Sequence, residues 1–125
     1  MVQTDVSQLT TECNDWLQIL RNYREEFQTS KKSLQEICKK TLSKDDLLNV
    51  EHFDNQFHIQ LINIHDLKHS IKIHQRRIDL ENSSGEIREE MYTMHEELLS
   101  EFLSLENTLQ ELRNEFKNFI SATSC

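Results

Sequence analysis

The sequence predicts an all-α protein, an up-down-up antiparallel three-helix bundle of long heptad-patterned helices. Three observations predict it. The 125 residues include no proline and one glycine, Gly85, so the turn vocabulary of strands is missing. Apolar residues recur at alternating spacings of three and four in three stretches, each long enough for a rod of roughly 50 Å. Polar breaks with helix-start signals separate the stretches. At 36% the hydrophobic content is lean, yet it builds a core when ordered into stripes.

The first helix is expected over about residues 5–41. Val6, Leu9, Cys13, Trp16, Leu20, Tyr23, Phe27, Leu34 and Ile37 form its seam, interrupted by Ser30 and continued to Thr41. The alternative is a four-helix bundle with this helix broken near residues 28–33, where Gln28-Thr29-Ser30 lowers helix propensity. The continuous heptad phase favours three helices. Ser43 and Asp46 form a capping-box pattern, and Leu42 and Leu47 form a hydrophobic staple around it.

The second helix, about residues 44–81, carries Leu47, Val50, Phe53, Phe57, Leu61, Ile64, Leu67, Ile71, His74 and Ile78. His74 is the polar member of that stripe. The break at Asn82-Ser83-Ser84-Gly85 precedes a third helix expected over about 84–120, with Ser83 and Glu86 as a second capping box. Its stripe is Ile87, Met91, Met94, Leu98, Phe102, Leu105, Leu109, Leu112, Phe116 and Phe119, with a stutter at Met94-Leu98-Phe102. Leu61, Leu98 and Leu105 are expected in the core with Trp16, Phe27, Phe57 and Leu109. The whole chain, 1–125, reads as one domain.

Charge pattern fits the two hairpins. Folding about Ser43 brings Lys39 and Lys40 to Asp45 and Asp46, and Lys31 and Lys32 to Asp54. Folding about the second break runs Lys68, Lys72, Arg76 and Arg77 beside the glutamates from Glu89 to Glu101. Such exposed pairs are worth about 0–1 kcal/mol each and serve to select register.

The net charge of −8 argues against a nucleic-acid or anionic-membrane partner. No run of apolar residues is long enough to span a bilayer. The start of the chain lacks the basic and apolar regions of a signal peptide, so a cytoplasmic setting with free thiols at Cys13, Cys38 and Cys125 is expected. The acidic excess grows along the chain, from 0 over residues 1–43 to −2 over 44–82 and −6 over 83–125.

Six histidines are the chemical signal, five of them on the second helix. His65 and His69 are one turn apart, a spacing that can chelate a transition metal, although His-x-x-x-His alone is unspecific. The helical register suggests a second grouping. The layer of His74 lies near His95 on the third helix and near Cys13 on the first. A thiolate and two imidazoles form a zinc-type donor set, with Glu12 or Glu90 as a candidate fourth ligand. No nucleophile sits on a sharp turn or beside an oxyanion hole, so no enzyme is expected.

Length, three heptad helices and Trp16 early in the first resemble a spectrin-type repeat; the resemblance implies the bundle architecture and no function. The composition is that of a non-enzymatic interaction, adaptor or regulatory bundle with a protein partner. The alternative is a metal- or ligand-sensing bundle built on the helix 2 histidines with Cys13 and His95. Apolar residues left over from the stripes, Leu17, Leu99 and Leu103, are expected to centre a homodimer interface.

Overall fold

The structure, a computed structural model, describes residues 6–38 and 42–123. It is a three-helix bundle of α1 (Val6–Cys38), α2 (Lys44–Ser83) and α3 (Glu89–Thr123) in up-down-up order. Helix α1 runs through Gln28-Thr29-Ser30 unbroken. There the hydroxyls of Thr29 and Ser30 donate to the carbonyls of Glu25 and Glu26 at 3.0 and 3.1 Å, one turn back. These residues thus bond within the helix instead of ending it.

Ser43 caps α2 as its sequence position predicts. Its backbone is extended (φ −66°, ψ 163°), and its hydroxyl accepts from the Asp46 amide at 3.1 Å. The second predicted cap does not form. Ser83 ends α2 and donates back to the Asp79 carbonyl at 3.0 Å, and α3 starts at Glu89. The reason is Gly85, whose φ of 91° is reached at little steric cost without a Cβ. Its amide bonds to the Asn82 carbonyl at 3.0 Å, and the Glu86 amide bonds to that of Glu81 at 3.3 Å. That pair of bonds is a Schellman stop for α2, so Glu86 closes the old helix and does not open the new one. The Glu81 carboxylate then accepts from the Arg88 amide at 2.8 Å, bridging the turn.

The stripes meet in one core. At one end, Phe57 packs against Phe27 and Phe116 with ring centroids 5.1 and 4.9 Å apart, while Phe53 and Phe119 stack alongside at 5.2 Å. Trp16 and Phe102 meet at 5.9 Å further along. Leu61, Leu98 and Leu105, expected inside, are only part-buried flanking residues. Two successive steps of four, Phe53-Phe57-Leu61 and Met94-Leu98-Phe102, carry the stripe sideways around each helix. Gln60 takes the inward place beside Leu61 at 6% exposure, its carbonyl accepting from Asn63 at 3.1 Å. Leu105 lines a groove of about 690 Å³ that opens between α2 and α3. Leu47 is 46% exposed, so the buried stripe of α2 begins at Val50.

Lys31 and Asp54 approach to 3.9 Å, the register expected for the first hairpin. The pairs expected of Lys39 and Lys40 lie outside the described residues. The ladder between α2 and α3 is absent among the described residues. Lys68 is buried beside residues of α1, and Arg77 donates to the Met94 sulfur at 3.7 Å. Helices α1 and α3 are instead clasped by Arg113, whose Nε and Nη2 both donate to the Glu26 carboxylate at 2.7 Å. The same guanidinium lies 4.7 Å over the Tyr23 ring. No helix is long and apolar enough to cross a membrane among the described residues.

Candidate metal centre

Each helix delivers one candidate ligand to a single buried point. Cys13 sits on the α1 seam and is 0% exposed; His74 on α2 and His95 on α3 are 1% and 5% exposed. Their donor atoms all lie within 4.8 Å of one another. His74 Nε2 is 3.0 Å from His95 Nδ1, and Cys13 Sγ is 4.0 Å from that same nitrogen. Tetrahedral zinc bond lengths require about 3.3 Å between two nitrogens and about 3.6 Å between sulfur and nitrogen. Those two spacings straddle the required values, and the third pair, Cys13 Sγ with His74, lies within 4.8 Å, so closing the set around an ion moves side chains by up to about 1 Å.

Glu12 decides how His95 is held. Its carboxylate lies 2.6 Å from His95 Nε2. An ionised carboxylate only accepts, so this nitrogen carries the proton and Nδ1 presents its lone pair to the cluster. In the metal-free protein that lone pair accepts from His74 Nε2–H. His74 Nδ1 is then a buried acceptor, and it has no partner. The arrangement at His95 is the carboxylate–histidine pair that orients metal-bound imidazoles. Glu12 was expected as a fourth ligand and instead supports the third. Its neighbour Cys13 leaves the helix about 100° away, so the two side chains do not enter one coordination sphere side by side. Trp16, one turn beyond, covers the His95 ring at a centroid distance of 4.7 Å.

Burial sets the proton states. Desolvation, with help from His95 and Arg77, lowers the His74 pKa to about 4, so this ring is neutral at pH 7 and ready to ligate. Burial, and secondarily the Glu12 charge, pushes the Cys13 thiol up to about 12. A metal ion must therefore displace the thiol proton, while His74 only shifts its own proton to Nδ1. That relocated N–H has no acceptor in the protein, a cost of about 1–3 kcal/mol against binding. A cavity of about 280 Å³ between α2 and α3, lined by Ser70, Arg77, Met94 and Glu97 among others, has His74 in its wall.

The other sequence candidates stay apart. His65 and His69 are both exposed on α2 and belong to no group of three potential ligands among the described residues. Glu90 is exposed and outside the cluster. Leu17, expected at a dimer interface, is 8% exposed and part of the core, whereas Leu99 and Leu103 are 37% and 53% exposed. Cys125 and the side chain of Cys38 lie outside the described residues.

No family model, curated protein or solved structure matches the chain.

Proposed function

We propose that this bundle is a non-catalytic metal-binding module that takes one zinc-class transition-metal ion and responds to its presence. Cys13 Sγ, His74 Nε2 and His95 Nδ1 are the ligands, and Glu12 is the outer carboxylate on His95. The observation that carries this reading is the convergence of one ligand from each helix, with the far nitrogen of His95 already bonded to a carboxylate. The thiolate and two imidazoles suit Zn(II), Co(II) or copper and disfavour Mg(II) and Ca(II). Because the ligands lie on three helices, the ion would cross-link the whole bundle at one end. Its binding energy then adds directly to folding stability, so metal availability reads out as bundle stability.

Cobalt titration tests the site. Co(II) is expected to bind one-to-one with thiolate-to-metal charge-transfer absorption, to quench Trp16 fluorescence, and to be displaced by zinc. Glu12→Gln should weaken binding by about 10–100-fold while leaving helicity unchanged, because it removes the carboxylate and no ligand. Equal affinity in Glu12→Gln would mean that His95 is not held as described.

A second role in protein–protein contact is supported by apolar side chains exposed along α2, with Ile62 at 47%, Ile73 at 40% and Leu80 at 69%. A homodimer through Leu99 and Leu103 belongs to this reading. Sedimentation equilibrium at micromolar concentration tests it, and a monomer mass rejects it.

A further inference from the structure

Lys68 is the lysine that the fold buries among the described residues, at 8% exposure. Burial first, and then the charges of its neighbours Arg24, Lys72 and Arg21, lower its pKa. Arg21 and Arg24 are three apart on α1, and Lys68 and Lys72 are four apart on α2, so each pair shares a helix face. Arg21 and Arg24 from α1 and Lys72 from α2 are thus gathered around Lys68 at the α1/α2 seam.

None of them is neutralised. The ion pairs among the described residues involve Lys31, His95 and Arg113, and no carboxylate reaches this group. Glu25 lies one turn beyond Arg21, exposed and without an ion pair to it. The Arg21 guanidinium donates to the Gln18 side-chain oxygen at 3.4 Å and to no carboxylate among the described residues. The Nε–H of Arg24 is buried with no acceptor. This occurs in a chain with 22 acidic and 14 basic residues, where a carboxylate partner is easily supplied. Lys68 and Arg24 are partly desolvated there, with Arg21 and Lys72 exposed at the edge; like charges so gathered repel one another, and an anion held between them turns the repulsion into attraction.

We infer that the seam formed by Arg21, Arg24, Lys68 and Lys72 is a binding site for a small, soluble, multiply charged phosphate-class oxyanion. Arginine forks and lysine ammoniums from two helices suit the several acceptor oxygens of such a group. The ligand is soluble and small because the net charge of −8, concentrated on α3, repels an anionic bilayer or a nucleic-acid duplex.

Calorimetric titration of the full chain with inorganic pyrophosphate, at fixed ionic strength and in EDTA, tests the site apart from any metal. Saturable one-to-one binding is expected. Lys68→Met and Arg24→Met should each weaken it by about tenfold or more, whereas Lys117→Met, on α3, should not change it. Without pyrophosphate, Lys68→Met should melt at or above the wild-type temperature, because it relieves repulsion. Should Lys68→Met fail to fold, Lys72→Met at an exposed position gives the same affinity readout. Absence of saturable binding at millimolar pyrophosphate would overturn the site. So would unchanged affinity in the seam variants, a lower melting temperature for a folded Lys68→Met, stronger binding of polyglutamate than of pyrophosphate, or recruitment to phosphatidate vesicles.

Discussion

Phe57→Ala should destabilise the protein by about 3–5 kcal/mol, enough to unfold a large share of a domain of ordinary stability. Phe57 is 0% exposed. Its ring lies 5.1 Å from Phe27 on α1 and 4.9 Å from Phe116 on α3, the latter edge-on at 85°. Deleting it removes a ring that touches both other helices, and rigid helical backbones close the resulting cavity poorly. Urea denaturation followed by circular dichroism measures the loss. A change below about 1 kcal/mol, as at a surface position, would place Phe57 outside the core.

The metal-free protein should be most stable between about pH 6.5 and 9 and lose stability on both sides, through two different residues. His74 titrates near 4 in the fold against an ordinary 6.5. Below 6.5 the unfolded chain takes up a proton that the folded ring refuses. Stability is thus complete above 6.5 and falls as the pH drops toward 4, by about 3 kcal/mol at full extent. Cys13 behaves in the opposite direction, with a folded pKa of about 12 against an ordinary 9.0. Above 9 the unfolded thiol ionises while the buried one stays protonated. Its contribution is complete below 9 and is lost as the pH rises toward 12, by up to about 4 kcal/mol. In EDTA, His74→Leu should flatten the acid limb and Cys13→Ala the alkaline limb, each measured against wild type by denaturation at several pH values. Limbs unchanged in both variants would mean that neither group is buried as described.

Much of the bundle was legible because heptad spacing depends only on the geometry of an α-helix. Ser43 before Asp46 announced the start of α2, and the phase through Ser30 announced that α1 continues. The register of the first hairpin, which brought Lys31 to Asp54, also placed His74 near Cys13, and the register of the second placed it near His95, since antiparallel helices fix all their layers once the turn is placed. Glu12 was misassigned because its role depends on which side of an imidazole it reaches, which register does not specify. The start of α3 was misread because Ser83-x-x-Glu86 satisfies the pattern of a helix start while Gly85 makes a helix stop, and the backbone bonds decide between them. Lys68 was assigned to the glutamates of α3 because charge complementarity was weighed without rotation about the helix axis. On α2 it turns to the opposite neighbour, where Arg24 already stands.

The most direct test of the metal centre is the metal content of untagged protein after exposure to equimolar zinc and removal of unbound ion. Wild type should retain one equivalent of zinc, with a melting temperature above that of the EDTA-treated sample. Cys13→Ser and His95→Ala should retain almost none, and His65→Ala with His69→Ala should retain as much as wild type. Zinc-free wild type after this treatment would contradict a metal centre at Cys13, His74 and His95, and so would equal retention by Cys13→Ser.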